Sequence, residues 1–384
     1  MNTAKQPIYL DIMHSIKNKI NKNEYPTGYK FTEAALANDF NCSRITAKRA
    51  LDELTQEGLI ERRKGSGSYL ADLSTRSEVE EGKNITLIFP HGYLASNLMT
   101  YFYGSSDMLS TRGYVPAIIA GSSDTVTSEE LISRAVTNGC AGIIFYPEHN
   151  SDTTEMLTTL AVEDFPIVVI DKHFHGIPVN TVTSDNYEGA RAAIQLLHDN
   201  GHRNIAFVSD HNINTRSTIK DRFLGYAMVH KANGLKINLD NVISGFNLTL
   251  KESYPDVYNQ VIGILPLAGN QHDFFEDIIT QLINRGVTAI VGSNDLVAMY
   301  MVKTCENMGL SVPEDLSIVG FDDHILLQHM GVPITTVRQD FYGMGYRAAE
   351  LLMKKIDHRT MPAETIVMPV EIVERTSIKT LMPD

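Results

Sequence analysis

The feature that most constrains the fold is a series of short apolar runs that begins at residue 85. Each run has five residues, too few for a typical helix, and amphipathic segments separate the runs. The runs are ITLIF (85–89), VPAII (115–119), GIIFY (142–146), IVVID (167–171), NIAFV (204–208), AIVGS (289–293) and SIVGF (317–321). Strands this apolar are buried on both faces, as in a parallel sheet covered by helices. The pattern predicts an α/β body with two doubly wound parallel-sheet lobes.

The first seventy residues have a different pattern, which predicts a winged helix-turn-helix. Isoleucine recurs at every fourth position from Ile8 to Ile20, as on one face of an amphipathic helix. A short second helix follows Thr32, and a third helix runs from Ser43 to about residue 57, since Thr and Ser are good N-cap residues. Two strand-like segments then flank a basic, glycine-containing turn at 63–67.

The third helix and the turn carry the predicted DNA-binding residues. In a winged helix-turn-helix the third helix enters the major groove, and its N-terminal side chains reach the base edges. Arginine pairs bidentately with guanine, while Lys and hydroxyl side chains bind phosphates. The predicted residues are Ser43, Arg44, Thr46, Lys48 and Arg49 on the helix and Arg62, Arg63 and Lys64 on the wing. The alternative is a helix with ordinary solvated charges.

The charge distribution divides the chain in the same way. The whole chain has a formal charge of −13, which at first sight argues against a nucleic-acid partner. Residues 1–73, however, hold 11 of the 33 basic and 9 of the 46 acidic residues, so their net charge is +2 and that of the remainder is −15. Because binding depends on local potential, DNA contact is expected from the N-terminal part alone.

This N-terminal sequence resembles a known family. PIY near the start, followed by CSRITAKRALDELTQEGLIERRKGSGSYLA, is similar to the GntR-type DNA-binding pattern VSRxTVRxALxxLxxxGLxxxxxGxGxxVA. The resemblance covers about residues 6–71. It implies DNA contact by Arg44, Thr46 and Lys48, and it places Gly65 and Gly67 in the wing.

One departure from the family pattern affects the expected operator. The family usually has LPSER at the second helix, with an arginine that touches DNA, whereas this chain has FTEAA with Ala34 at that place. One base contact is therefore missing. We expect a GntR-type domain over 1–71, a polar linker over 72–83 and a ligand-sensing domain over 84–384. The first lobe is expected at about 84–171 and 340–360, and the second at about 172–339 and 361–384.

Several classes of protein are disfavoured by the sequence. Three widely separated cysteines suggest neither a disulfide framework nor a zinc site. The N-terminus lacks the apolar core of a secretory signal, and no apolar run is long enough to span a bilayer. No phosphate-binding glycine loop, GxSxG elbow or HExxH motif is present. We expect a cytoplasmic protein that is not an enzyme, with no cofactor, no metal and no membrane partner.

Polar side chains that follow the predicted strands are the candidate ligand-binding residues, because ligands of such sheets bind beyond the carboxyl ends of the strands. These residues include His91, Tyr93, Glu148, His149, Asn150, Asp171, Lys172, His173, Asn294, Asp295, Asp322 and Asp323. Carboxylates and amides of this kind bind the adjacent hydroxyls of a sugar. Asp322 or Asn294 alone equally suits a helix cap. His173 and His175 resemble a metal pair, but no further ligand follows at useful spacing.

The body also resembles a family. VTSDNYEGARAAIQLLHDNGHRNIAFVSD, DRFLGYA, SNDLVAMYMV, VPEDLSIVGFDD and TTVRQDFYGMGYRAAELL resemble, in this order, the sensor domain of the LacI family, of periplasmic binding protein-like fold. The resemblance covers about residues 84–377. By motif position it implies ligand contact by Arg222, Asn294 and Asp322, with Gln339 near a crossover between the lobes.

The combination of the two halves resembles regulators of the arabinose-repressor type. It implies a homodimer that binds operator DNA and is released by a small sugar, with L-arabinose as the first ligand to try. A sugar-responsive activator or co-repressor stays open as an alternative. A sugar-processing enzyme and a transport-type sugar receptor are the rivals of another class.

Overall fold

The computed structural model describes residues 8–21, 24–26, 28–56, 59–63, 67–71, 83–89, 98–121, 126–147, 153–253, 272–329 and 331–381. The chain forms two units, Met1–Glu80 and Glu81–Asp384. No described helix is both long and apolar enough to cross a membrane. The predicted linker at 72–83 lies outside the described residues except for Lys83.

The N-terminal unit is a small helical domain with a three-stranded sheet. Its elements are α1 (Ile8–Asn21), β1 (Lys30–Phe31), α2 (Glu33–Asp39), α3 (Arg44–Gln56), β2 (Ile60–Arg63) and β3 (Gly67–Leu70). The strands pair antiparallel in the order β1-β3-β2. Thr32 caps α2 by accepting a hydrogen bond from the Ala35 backbone N–H, and Ile12, Ile16 and Leu51 lie in the shared core. The predicted helices are confirmed, whereas β1 was not predicted.

The first lobe of the second unit is a six-stranded parallel sheet with helices on both faces. Its strands are β4 (Asn84–Phe89), β5 (Val115–Ala120), β6 (Gly142–Phe145), β7 (Ile167–Ile170), β8 (Asn180–Ser184) and β14 (Thr365–Met368), in the order β14-β8-β7-β6-β4-β5. Helices α4 (Leu98–Thr111) and α12 (Phe341–Asp357) contribute to the core on one face. Helices α5 (Ser128–Thr137) and α6 (Thr154–Val162) contribute to the core on the other.

The second lobe is a four-stranded parallel sheet, again covered on both faces. Its strands are β9 (Ile205–Ser209), β10 (Val242–Ser244), β11 (Ala289–Gly292) and β12 (Ser317–Val319), in the order β10-β9-β11-β12. Helices α7 (Asn186–Asp199) and α8 (Ser217–Ala232) cover one face. The other face is covered by α10 (His272–Asn284) and α11 (Asp295–Asn307), with α9 (Phe246–Ser253) beside them. All seven apolar runs predicted from the sequence form strands of these two sheets.

The lobe boundaries predicted from the sequence need correction. Strand β8 lies within the predicted second lobe, at 172–339, but it pairs with β7 of the first sheet. Strand β14 lies within the predicted 361–384 segment, and it pairs with β8. The chain crosses between the lobes after β8, after β13 (Thr336–Arg338) and before β15 (Glu371–Val373), and β13 pairs antiparallel with β15. Local apolar pattern does not reveal which sheet a strand joins, and this explains the error.

Candidate DNA-binding and effector sites

The N-terminus of α3 presents exposed basic side chains. Ser43 fixes this end of the helix, because its hydroxyl accepts a hydrogen bond from the Thr46 backbone N–H at 3.1 Å and lies 2.9 Å from the Thr46 hydroxyl. Arg44 and Lys48 are exposed and form no ion pair with any residue that the structure describes. Their charges are therefore available to a ligand.

The other predicted basic residues have intramolecular partners. The Arg49 guanidinium lies 4.0 Å from the centre of the Tyr9 ring and 4.0 Å from the Glu53 carboxylate. Arg62 pairs with Asp52, and Arg63 pairs with Glu61. Exposed ion pairs contribute little free energy, so these arginines can exchange their partners for phosphates. Gly67 opens β3 with a φ of +121°, whereas Lys64 and Gly65 lie outside the described residues.

Arg222 is the centre of a buried polar cluster in the second unit. Its guanidinium donates hydrogen bonds to Asn186 Oδ1 at 2.8 Å, to the Ser293 carbonyl at 2.5 Å and to Asp322 Oδ1 at 3.4 Å. It also lies over the Phe321 ring, 3.6 Å from the ring centre. These contacts fix the guanidinium at the carboxyl ends of the second lobe's strands, where Ser293 directly follows β11.

Asp322 receives hydrogen bonds from Arg222 and from Gln339, which follows β13 at a crossing between the lobes. Gln339 Nε2 donates to Asp322 Oδ1 at 2.5 Å, while Gln339 Oε1 is buried without a hydrogen-bond partner among the described residues. Burial raises the pKa of Asp322 to about 7; Arg222 opposes this rise, and the Asp295 and Asp171 carboxylates add to it. The backbone of Asp322 has a φ of +124°, which is rarely adopted by an L-residue and indicates local strain.

Behind the half-buried Asp322, a fully buried carboxylate, Asp295, holds the loop in place. Asp295 accepts hydrogen bonds from the His324 backbone N–H and from the Thr336 hydroxyl, each at 2.6 Å. Burial raises the pKa of Asp295 to about 6. The neighbouring Asp323 is instead paired with Arg338 and Arg375. Asp295 and Asp323 are therefore engaged with the protein, and Asp322 is the carboxylate that faces Arg222 and Gln339.

The first lobe contributes a second charge pair. The ammonium group of Lys172 is buried, 3.0 Å from Asp171 Oδ2 and 3.9 Å from the centre of the Tyr146 ring. Tyr101 is fully buried, and its pKa is raised by burial and by the Asp171 and Asp322 carboxylates. The Tyr101 phenol is therefore close enough to one carboxylate from each lobe for both to raise its pKa. The Lys172 pair and the Arg222 cluster therefore belong to the same region between the lobes.

Asn294 lies in a different cluster from Asp322. Its Oδ1 caps α11 by accepting from the Val297 backbone N–H, and its Nδ2 donates to Asp210 Oδ1 at 3.2 Å. Although burial alone would raise it, the pKa of Asp210 is lowered by His211 and Arg216. Ser293 links the clusters, because its carbonyl accepts from Arg222 and its hydroxyl contacts Asp210.

His173 directly follows Lys172 in sequence, but its contacts are with residues outside the Arg222 cluster. Its Nε2 lies 3.0 Å from His175 Nε2, its Nδ1 lies 3.7 Å from Asp221, and its backbone N–H donates to the Ser217 hydroxyl. Among the residues that the structure describes, no group of three or more His, Cys, Asp or Glu side chains is arranged to hold a metal. The predicted ligand residues His91, Tyr93, Glu148 and His149 lie outside the described residues.

Sequence reasoning missed several members of the cluster. Four residues that were not proposed contact the charged groups of the site or have a pKa that these groups shift: Tyr101, Tyr146, Asn186 and Phe321. Tyr146 and Phe321 end apolar runs, so the signal was present: an aromatic residue at the carboxyl end of a strand. Tyr101 lies within α4 and had no such signal.

Two protein families match separate parts of the chain. Residues 8–70 match the family described as "Bacterial regulatory proteins, gntR family", and residues 194–378 match the "Periplasmic binding protein-like domain". Among curated proteins, an "Arabinose metabolism transcriptional repressor" of Geobacillus stearothermophilus is 25% identical over 99% of this chain and 100% of its own length. A protein of the same name from Halalkalibacterium halodurans is 25% identical over 91% of this chain and 89% of its own.

Solved structures with the same fold include two described with a sugar. The complex of the regulator CelR with cellobiose has a TM-score of 0.62 at 22% identity, covering 87% of this chain and 90% of that one. A LacI family regulator from Enterococcus faecium with bound ribose has a TM-score of 0.60 at 22% identity, covering 78% and 100%. At this level of identity, the likeness shows the fold.

Proposed function

We propose that this chain, which joins a GntR-type regulatory domain to a periplasmic binding protein-like domain, is a transcription repressor released from operator DNA by a small neutral sugar. The observation that carries the proposal is the cluster between the two lobes in which the half-buried Asp322 bonds to the buried Arg222 and Gln339. It occurs in a chain whose other unit exposes Arg44 and Lys48 at the start of a recognition helix.

The region between the two lobes that holds the Arg222 cluster and the Lys172 pair is the proposed binding cleft. Its charges favour an uncharged effector. Arg222 is matched by Asp322, and Lys172 is matched by Asp171. An anionic sugar, such as a phosphate ester, would find these two cations already paired and would be repelled by both carboxylates. Hydroxyl groups, by contrast, donate to Asp322 and to Gln339 Oε1, which has no partner among the described residues, and they accept from Arg222. L-arabinose is the first candidate, since the relatives described above are named as repressors of arabinose metabolism.

The proposed mechanism is a coupling of two equilibria. The sensor unit forms a homodimer that presents two winged helices to a two-fold operator. The sugar binds between the lobes and favours a dimer geometry that does not fit the operator. The protein acts in the cytoplasm, where the DNA lies, and it leaves the sugar chemically unchanged. Asn294, His173 and the residues at 91, 93, 148 and 149 remain candidates for further sugar contacts.

A thermal-shift screen of pentoses, hexoses and their phosphates tests the effector. A ligand that binds only the native state at 100 times its Kd stabilises the protein by about 2.7 kcal/mol and raises its Tm. We expect a neutral sugar to raise the Tm and its phosphate to leave it unchanged. Asp322→Asn keeps the shape of the side chain and is expected to abolish the shift. Arg191→Ala, which removes an exposed arginine paired with Glu188, serves as the control.

The complete proposal is then tested on DNA. The full-length chain is used to select binding sites from genomic fragments, and the selected site is titrated with the sugar that raised the Tm. We expect wild-type protein to release the site and Asp322→Asn protein to hold it at every sugar concentration. Arg44→Ala should bind the sugar normally and lose the site. A sugar that binds without changing DNA affinity would contradict the repressor mechanism.

A further inference from the structure

Ile45, the second residue of the recognition helix α3, is an apolar side chain in a basic and polar setting. Its side chain is 80% exposed, the largest exposed fraction of any large apolar side chain that the structure describes. Ile45 and Leu54 are nine residues apart, which is two and a half helical turns, and Leu54 is fully buried in the domain core. Ile45 therefore points directly away from the core of its own unit.

The neighbours of Ile45 distinguish it from an ordinary exposed apolar residue. Lys48 and Arg49 follow it by three and four positions, so they lie on the same helix face. Arg44 precedes it and is also exposed. The hydroxyls of Ser43 and Thr46 are held by the helix cap. An isoleucine thus stands at the centre of a face whose edges carry positive charge.

We propose that Ile45 contacts the C5-methyl group of a thymine in the operator and so contributes to base specificity; this inference rests on the proposed DNA-binding function. The cationic side chains around Ile45 bind phosphates of the DNA backbone. This orients the helix face so that Ile45 points into the major groove. The thymine methyl is the apolar group that the major groove offers to such a side chain. Isoleucine in a helix has one strongly preferred χ1 rotamer, so little side-chain entropy is lost on contact.

The proposal makes the operator sensitive to the loss of a single methyl group. Each thymine of the selected operator is replaced in turn by deoxyuridine, which keeps every hydrogen-bonding group and removes only the methyl. Affinity of the full-length protein is measured by fluorescence anisotropy at fixed salt. We expect one thymine in each half-site at which the replacement weakens binding by about fourfold, the effect of losing one buried methyl group.

A double-mutant cycle assigns that sensitivity to Ile45. Ile45→Ala protein should bind the thymine and deoxyuridine operators equally well, and Ile45→Val should retain part of the discrimination. Val162→Ala is the matched control: Val162 is 77% exposed but lies at the end of α6 in the other unit, so this variant should discriminate as the wild type does.

The outcomes separate the inference from the proposed function. If selection yields an operator whose thymines are all insensitive, or if Ile45→Ala discriminates as strongly as the wild type, the thymine contact is wrong while DNA binding stands. If selection yields no preferred sequence, the proposed function fails and the thymine contact with it.

Discussion

At the scale of single residues, Asp322 combines partial burial, backbone strain and charge. It lies in a segment where two consecutive residues, Asp322 and Asp323, have positive φ angles of 124° and 51°. Such conformations persist only where surrounding contacts hold them. Here Asp295 holds the following backbone, and Arg338 and Arg375 hold Asp323. The loop therefore presents the Asp322 carboxylate to Arg222 at a free-energy cost that those contacts offset.

The pKa of Asp322, raised to about 7, makes effector binding depend on pH. A sugar hydroxyl that donates to this carboxylate favours its ionised form, so binding lowers the pKa and releases a proton. Arg222, Gln339, Asp295 and Asp171 also act on the group. We expect affinity to be about tenfold weaker at pH 6 than at pH 8, with a plateau above.

Calorimetry in two buffers of different ionisation enthalpy measures both the affinity and the released proton. Asp322→Asn should give no binding heat at either pH. Equal affinities of the wild type at pH 6 and pH 8, with no proton release, would show that the sugar does not engage this carboxylate.

The sequence predicted some residues of the Arg222 cluster but not all of them. Arg222, Asp322 and Gln339 were proposed by motif position, and in the structure Asp322 accepts hydrogen bonds from both of the others. Asn294 was expected to act with Asp322 but contacts Asp210 and caps α11. A helix cap and a ligand contact need the same side chain at the same position, so the sequence alone did not separate them.

At the scale of elements, α4 and α12 approach each other closely because each has a glycine at the crossing. A Cβ atom on Gly345 would lie 2.0 Å from the Tyr101 carbonyl, and one on Gly104 would lie 2.0 Å from the Tyr342 carbonyl. The buried Ser105 hydroxyl donates to the Gly345 carbonyl at 2.9 Å. This crossing also fixes the position of Tyr101, whose pKa is raised by the Asp171 and Asp322 carboxylates.

Gly345→Ala should therefore destabilise the sensor unit. Backbone displacement of this kind costs about 1–3 kcal/mol, since the added methyl has no room against the carbonyl. Urea denaturation followed by far-ultraviolet circular dichroism measures the change. Gly331→Ala is the control, because Gly331 is exposed and the nearest atom to an added Cβ is 3.5 Å away in a side chain; its effect should stay within about 0.5 kcal/mol. Equal stabilities of the two variants would contradict the packing argument.

The elements found from the sequence were those with a strong apolar signal. All seven apolar runs form strands; five of these lie inside a sheet, while β5 and β12 lie at sheet edges. A strand that is covered on both faces must be apolar along its length. Strand β8 is also buried at every residue, but its sequence is NTVTS. Two of its hydroxyls, on Thr181 and Thr183, donate to the carbonyls of Val179 and Asp171. Polar side chains can be buried when their hydrogen bonds are satisfied in this way, so such a strand has no apolar pattern in the sequence.

At the scale of the whole molecule, the proposed coupling must act in both directions. If a sugar weakens DNA binding by a given factor, DNA weakens sugar binding by the same factor. A typical coupling of about 1–3 kcal/mol corresponds to about 5–150-fold. We therefore expect the sugar's Kd, measured by calorimetry, to rise by this factor when operator is present in excess. A duplex of scrambled sequence is the control, and unequal factors in the two directions would exclude a simple linkage.

The division of charge makes this coupling one between dissimilar units. Most of the negative charge lies beyond residue 73, and the exposed basic side chains Arg44 and Lys48 lie on α3. The sequence itself shows this division, because net charge and apolar pattern both change near the same position. It did not predict the path of the chain between the lobes, which depends on contacts between residues far apart in sequence.

That path has a consequence for how the protein is made. The core of the first lobe joins Ile85 and Leu87 of β4 to Leu351 and Leu352 of α12, about 260 residues later. At roughly 5–20 residues per second, a ribosome needs on the order of 10–50 s to supply the missing helix. During that time the nascent first lobe exposes an apolar face. The demand for chaperones therefore falls on this lobe, whereas the elements of the N-terminal unit emerge together.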